Sequence, residues 1–267
     1  MKYMHFNSSC AWAGLANLLA LRGYDTEDAE IALDMGLPYL IAQEDGAYLA
    51  GPMLQGKRWF DLYLLPRGFV VEEKTIPREE LSRFLEKQDS AMLGLYVSER
   101  DKHAVIYTGM KGGKLSFLNN KWESDPAPGT FSLTAEDLLL RADEPTTVAV
   151  LHRCKPQETD FSKLRRDSVR MLGSMRTDLH SFCEQPQDPE AMRGALNRLF
   201  RPLFLDGISM MELLGESGIA GNMKTLQSQL MSLLRAGITA APSEEIDLSL
   251  LDRTVEDWAD LIRKKDA

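Results

Sequence analysis

The hydrophobic period changes once along this 267-residue chain, and that change limits the architectures open to it. From Ala91 to His152 apolar residues alternate in short runs bounded by turn residues, the pattern of strands. Past Lys155-Pro156 the alternation stops. Leu and Met then recur at three-to-four spacing over 161–182, 189–204, 209–214, 222–236 and 252–264, with Pro186, Pro202 and Pro242 as punctuation. The chain therefore reads as two domains, a mixed one over residues 1–155 and an all-helical one over 156–267. Helices come before the strands in the first, which places it in the α+β class.

Composition narrows the function. Forty acidic against 31 basic side chains give a formal net charge of -9, negative in both halves, and no basic tract interrupts it. A nucleic-acid partner is not expected without a basic footprint. No apolar run precedes Asn7 and none of membrane-spanning length follows, so a soluble, cytoplasmic protein without a membrane partner is expected. Three cysteines, Cys10, Cys154 and Cys183, stand at unrelated spacings with no C-x-x-C pair. They read as reduced thiols, with neither a disulfide framework nor a metal or other cofactor implied. His152 and His180 have no ligand-type neighbours in sequence, and Lys111-Gly112-Gly113-Lys114 lacks the setting of a phosphate loop.

Within the first domain, Ser8-Ser9 reads as an N-cap to an apolar helix over Cys10–Arg22 that Gly23 ends, and a second helix spans about 25–35. Residues 36–68 give no clean period and read as loops with short strands around Tyr39–Ala42 and Trp59–Leu65. A strand at Val70–Lys74 and a helix over Arg78–Lys87 follow. Strands then run over Met92–Val97, His103–Gly109 and Leu115–Asn119, the last two joined by the double glycine of a hairpin turn. Thr134-Ala-Glu-Asp137 has the form of a capping box, and Thr146–His152 is a final strand.

One set of residues in this domain can carry chemistry. A thiol attacks as thiolate, and the unpaired amides and dipole of a helix's first turn favour negative charge; Cys10 sits there. A nucleophile needs a base within reach and a third group to orient that base. His103 opens a strand directly after the charged loop Ser98–Lys102, and Asn119 closes the next strand. Cys154 and Cys183 have no such company and read as structural.

Taken together, Cys10 at the head of a buried helix, His103 opening His-Ala-Val-Ile-Tyr-Thr-Gly and an Asn at the end of the following strand resemble papain-like cysteine peptidases. Asn120-Lys121-Trp122 is similar to that family's Asn-x-Trp, so Asn119 by strand parity and Asn120 by the tryptophan are both candidate orienters, with Asp125 a third. The short interval from Cys10 to His103 is most similar to the compact bacterial branch, which includes the leader-removing peptidase domains of bacteriocin transporters and the acyltransferase of butirosin biosynthesis. The resemblance covers roughly residues 5–152. It implies a helix-bearing half against an antiparallel sheet, and hydrolysis or acyl transfer through a thioester on Cys10, with a peptide or small acyl substrate. The family usually places a Gln six residues before the nucleophile to bind the oxyanion; here that position is Met4. Asn7 or His5 is the candidate replacement beside the backbone amide of Cys10, and losing one such donor typically costs about 100- to 1,000-fold in rate. The competing expectation is therefore an inactive papain-fold binding or scaffolding protein. The helical domain, rich in apolar stripes, is expected to pack beside the first domain or to form a homodimer.

Overall fold

The computed structural model describes residues 1–98, 101–236 and 241–266. Glu99 and Arg100 of the expected charged loop lie outside them. In chain order the elements are α1 (Cys10–Ala20), α2 (Asp28–Met35), β1 (Ile41–Glu44), β2 (Ala47–Ala50), α3 (Lys57–Leu64), β3 (Phe69–Ile76), α4 (Leu81–Leu85), β4 (Ala91–Tyr96), β5 (Lys102–Lys111), β6 (Lys114–Asn119), β7 (Thr130–Leu133), α5 (Ala135–Arg141) and β8 (Thr146–Arg153), then α6 (Ser162–Cys183), α7 (Pro189–Ala195), a π-helical turn (Leu196–Phe200), α8 (Arg201–Phe204), α9 (Gly207–Leu213), α10 (Ser217–Ala236) and α11 (Leu248–Asp266). They group into two compact units. One comprises Met1–Met35 with Gln55–Thr159, the other Gly36–Leu54 with Asp160–Ala267.

The first unit is α+β. Its six strands form one antiparallel sheet in the order β3-β8-β4-β5-β6-β7. The β5–β6 hairpin turns through Gly112 and Gly113, at φ +58° and +74°, a conformation that two consecutive L side chains rarely share. A register shift between Tyr107 and Gly109, with Gly109 at φ +116°, bends β5 near the same end. On one face of the sheet Ala91, Leu93, Leu95, Val105, Tyr107 and Phe117 pack under Leu81 and Leu85 of α4 and Leu138 of α5. Thr134 caps α5 as expected, its hydroxyl accepting from the Asp137 amide at 3.1 Å while the Asp137 carboxylate takes the Thr134 amide.

Helix α1 lies on the other face. Every residue from Trp12 to Leu19 is buried, and Trp12 meets Phe60 of α3 edge-on at 4.8 Å between ring centres. The expectation of a strand at Trp59–Leu65 is corrected here, because that segment is α3. Trp59, Phe60, Tyr63 and Leu64 are its buried residues, a one-sided set that only a helix makes from that spacing. Aromatic content suggested a strand, and burial against β3 decided otherwise: the Lys57 amide donates to Glu73 Oε1 at 2.8 Å, and Asp61 Oδ1 accepts the Val71 amide at 2.9 Å.

The second unit is helical except for the β1–β2 hairpin, which falls within the span read from sequence as the first domain. Asp45 and Gly46, both at positive φ, make its turn. Three polar contacts bind the hairpin segment to the helices: the Ile41 amide to Ser168 Oγ at 2.9 Å, Tyr48 OH to Asp178 Oδ2 at 2.6 Å, and Trp258 Nε1 to the Pro38 carbonyl at 2.9 Å. Burial raises the Tyr48 phenol's pKa, and the bond to Asp178 adds to the rise. Met223, Leu226, Leu230 and Leu233 of α10 are buried. Among the described residues, no helix is long and apolar enough to cross a membrane.

Candidate functional site

The chain enters α1 through a turn that a buried carboxylate organises. Asp28, fully buried at the start of α2, accepts the His5 amide at 2.9 Å, the Ser9 hydroxyl at 2.6 Å and His5 Nδ1. Ser9 Oγ in turn accepts the Phe6 amide at 3.2 Å. Ser9 stands at the N-cap position of α1, but with its hydroxyl spent on Asp28 it makes no side-chain cap bond, and no acid lies in the helix's first turn. Gln55 Nε2 donates to the Ser8 carbonyl. The sequence offered no pointer to Asp28, which is one acid among several in an amphipathic helix.

Cys10 is the first residue of α1 and is half-buried. At 100° per residue, Cys10, Gly14 and Asn17 share one stripe of the helix. That stripe faces the sheet. A Cβ on Gly14 would lie 2.5 Å from Met92 Sδ, 2.6 Å from Asn120 Nδ2 and 3.4 Å from Ile106 Cδ1, and Asn17 Nδ2 donates to Asn120 Oδ1 at 3.0 Å. Asn120 is thus wholly buried on the α1 side of the sheet, one helical turn along from the thiol, with its own Nδ2 unpartnered.

His103 and Asn119 belong to the opposite face. Strand alternation puts His103 with Val105, and Asn119 pairs with Val105 across β5 and β6, so the two side chains share the Val105 face on a diagonal. His103 Nδ1 and Asn119 Oδ1 are both buried without a hydrogen-bond partner. Asn119 also lines a pocket of about 260 Å³ with Val97, Phe131 and Arg141. Among the described residues no hydrogen bond joins Cys10 to His103. The sequence-derived set therefore falls into two pairs, Cys10 with Asn120 and His103 with Asn119.

Asn7 is exposed in the turn before α1. Asp125 serves its own loop, Oδ1 accepting the Ala127 amide at 2.8 Å and its carbonyl accepting from Lys121 Nζ. His5 Nε2 lies 3.4 Å from Glu27 Oε2. Of the other thiols, Cys183 is sealed in the helical unit, where burial pushes it up to about 12, and Cys154 is half-buried after β8. His152 pairs with Glu72 at 3.1 Å and His180 with Asp252 at 2.8 Å. No cluster of three His, Cys, Asp or Glu suited to a metal ion occurs among the described residues.

No family model and no curated protein matches the chain. Among solved structures it is similar to the peptidase domain of Streptococcus ComA, a bi-functional ABC transporter involved in a quorum-sensing pathway. The identity is 15% and the TM-score 0.37, over 58% of this chain and 96% of that one.

Proposed function

We propose that this chain is a thiol enzyme of the papain-like type, a hydrolase or acyltransferase that works through a thioester on Cys10. The observation that carries the reading is the placement of Cys10: a half-buried thiol opening a buried helix, held by a turn that Asp28 fixes, with Asn120 packed against the same stripe of that helix. In the reaction the Cys10 sulfur attacks the substrate carbonyl as His103 takes the thiol proton. The tetrahedral oxyanion draws on the Cys10 amide, with Asn7 as second donor. His103 then protonates the leaving group, and water or an amine releases the acyl group.

Asn119 is the orienter in this scheme. The unpartnered His103 Nδ1 and Asn119 Oδ1 are a complementary donor and acceptor on one face, and each lacks what the other supplies. The imidazole must turn from the Val105 face toward α1 to reach the sulfur. Because a side chain cannot pass through a paired sheet, this approach requires His103, the second residue of β5, to swing around the end of the strand.

That separation supports a second reading, in which the chain keeps the architecture as a binding or scaffolding protein, self-associating through its helical unit, and runs no reaction. Alkylation with iodoacetamide near neutral pH decides between them. The enzyme reading expects Cys10 to react at least tenfold faster than Cys154 or Cys183, with that advantage abolished by His103→Ala and kept by His5→Ala. A Cys10 rate that His103→Ala leaves unchanged refutes His103 as the base, and equal slow labelling of all three thiols supports the inactive protein.

A further inference from the structure

On the α+β unit, three separate segments bring basic side chains to one polar pocket of about 320 Å³. Arg22 comes from the turn after α1, Lys87 from the loop after α4, and His152 and Arg153 from the end of β8, with Asp89 the acid in the wall. Arg22 Nη1 lies 3.5 Å from Asp89 Oδ2. Neither Lys87 nor Arg153 has a carboxylate partner among the described residues, and the Arg153 guanidinium lies over the Phe69 ring at 5.2 Å.

Three permanent cations against one carboxylate leave two positive charges uncompensated, with His152 uncounted because Glu72 holds its Nε2. In a chain of net charge -9 this concentration is not a by-product of composition.

We infer that this pocket binds a phosphate dianion. A guanidinium fork can pair with two oxygens along an O–P–O edge of a phosphate group and the Lys87 ammonium adds a point charge, so one dianion neutralises the surplus. Phe69, Val150 and Leu151 line the pocket but are almost wholly buried, so its polar rim would carry the recognition. The inference stands apart from the thiol chemistry and uses none of its residues.

Isothermal titration of the full chain at low ionic strength tests it, with inorganic phosphate, phenyl phosphate and, as a monoanion with the same ring, benzoate. Phosphate or phenyl phosphate is expected to bind at least tenfold more tightly than benzoate. Equal affinities for the two phosphates identify free phosphate as the ligand, and tighter phenyl phosphate identifies a phosphomonoester. The double variant Lys87→Glu with Arg153→Glu should weaken phosphate binding at least tenfold, and Lys87→Ala alone by a few-fold. Lys111→Glu with Lys114→Glu changes net charge equally at the β5–β6 turn and should leave the affinity within twofold. Benzoate binding as tightly as phosphate, equal losses in both double variants, or no phosphate binding at millimolar concentration overturns the inference.

Discussion

Adding one methyl group at Gly14 tests how closely α1 sits on the sheet. In a helix interior Gly→Ala ordinarily stabilises by about 1 kcal/mol through propensity. At Gly14 the new carbon would stand 2.5 Å from Met92 Sδ and 2.6 Å from Asn120 Nδ2, well inside van der Waals contact. The Met92 sulfur can move, being flexible. Asn120 cannot move freely, because Asn17 holds its Oδ1 in a buried bond at 3.0 Å. Overpacking a core costs about 1–3 kcal/mol, and straining that buried bond adds about 1 kcal/mol more. The net for Gly14→Ala is a loss of about 2 kcal/mol, a fall in Tm of roughly 4–8 °C. Gly173, inside α6, supplies the control, since a Cβ there meets nothing within 4 Å. Gly173→Ala should raise stability by about 0.5–1 kcal/mol. Thermal unfolding followed by circular dichroism reads both. If Gly14→Ala stabilises as much as Gly173→Ala, the close packing of α1 against Met92 and Asn120 is refuted.

Two further outcomes are expected. Asp28→Ala removes the acceptor of the His5 amide, the Ser9 hydroxyl and His5 Nδ1; the hydroxyl keeps the Phe6 carbonyl at 2.9 Å and the half-exposed imidazole can turn to water, so the expected loss is about 2 kcal/mol in urea unfolding; a change below about 0.5 kcal/mol would show that the turn before α1 does not depend on this carboxylate. Cys183, with its ionisation raised by burial to about 12 from an ordinary 9, favours folding fully below pH 9 and loses that contribution as the pH climbs from 9 toward 12. It should therefore resist iodoacetamide in the folded protein, and Cys183→Ala should flatten the alkaline fall in stability. Fast labelling of folded Cys183 at pH 8 would contradict its burial.

Much of the α+β unit was legible residue by residue. The apolar run after Cys10, the alternation on β4, β5 and β6, the double glycine at 112–113 and the Thr134 capping box all state local preferences that the tertiary structure reinforces. Residues 36–68 were not legible, although one signal was present: Asp45-Gly46 between Ile41–Glu44 and Ala47–Ala50 is among the strongest short hairpin cues. The β7 strand was missed because Thr130–Leu133 is four residues long, and it gains its stability from pairing with β6 rather than from its own pattern.

The candidate site divides along the same line. Chain order alone determined that a thiol opens a buried helix, that an imidazole stands near the start of a strand and that asparagines end the next one, because capping, helix periodicity and strand alternation act over a few residues. Tertiary structure decided which of them meet. A one-residue step along a strand exchanges its faces, so Asn120 joins the helix of Cys10 while Asn119 shares the face of His103. It also brought Asp28 beneath residues 5–9 and gathered four basic side chains from three segments around one pocket, since such juxtapositions depend on packing between elements and leave no local trace in the chain.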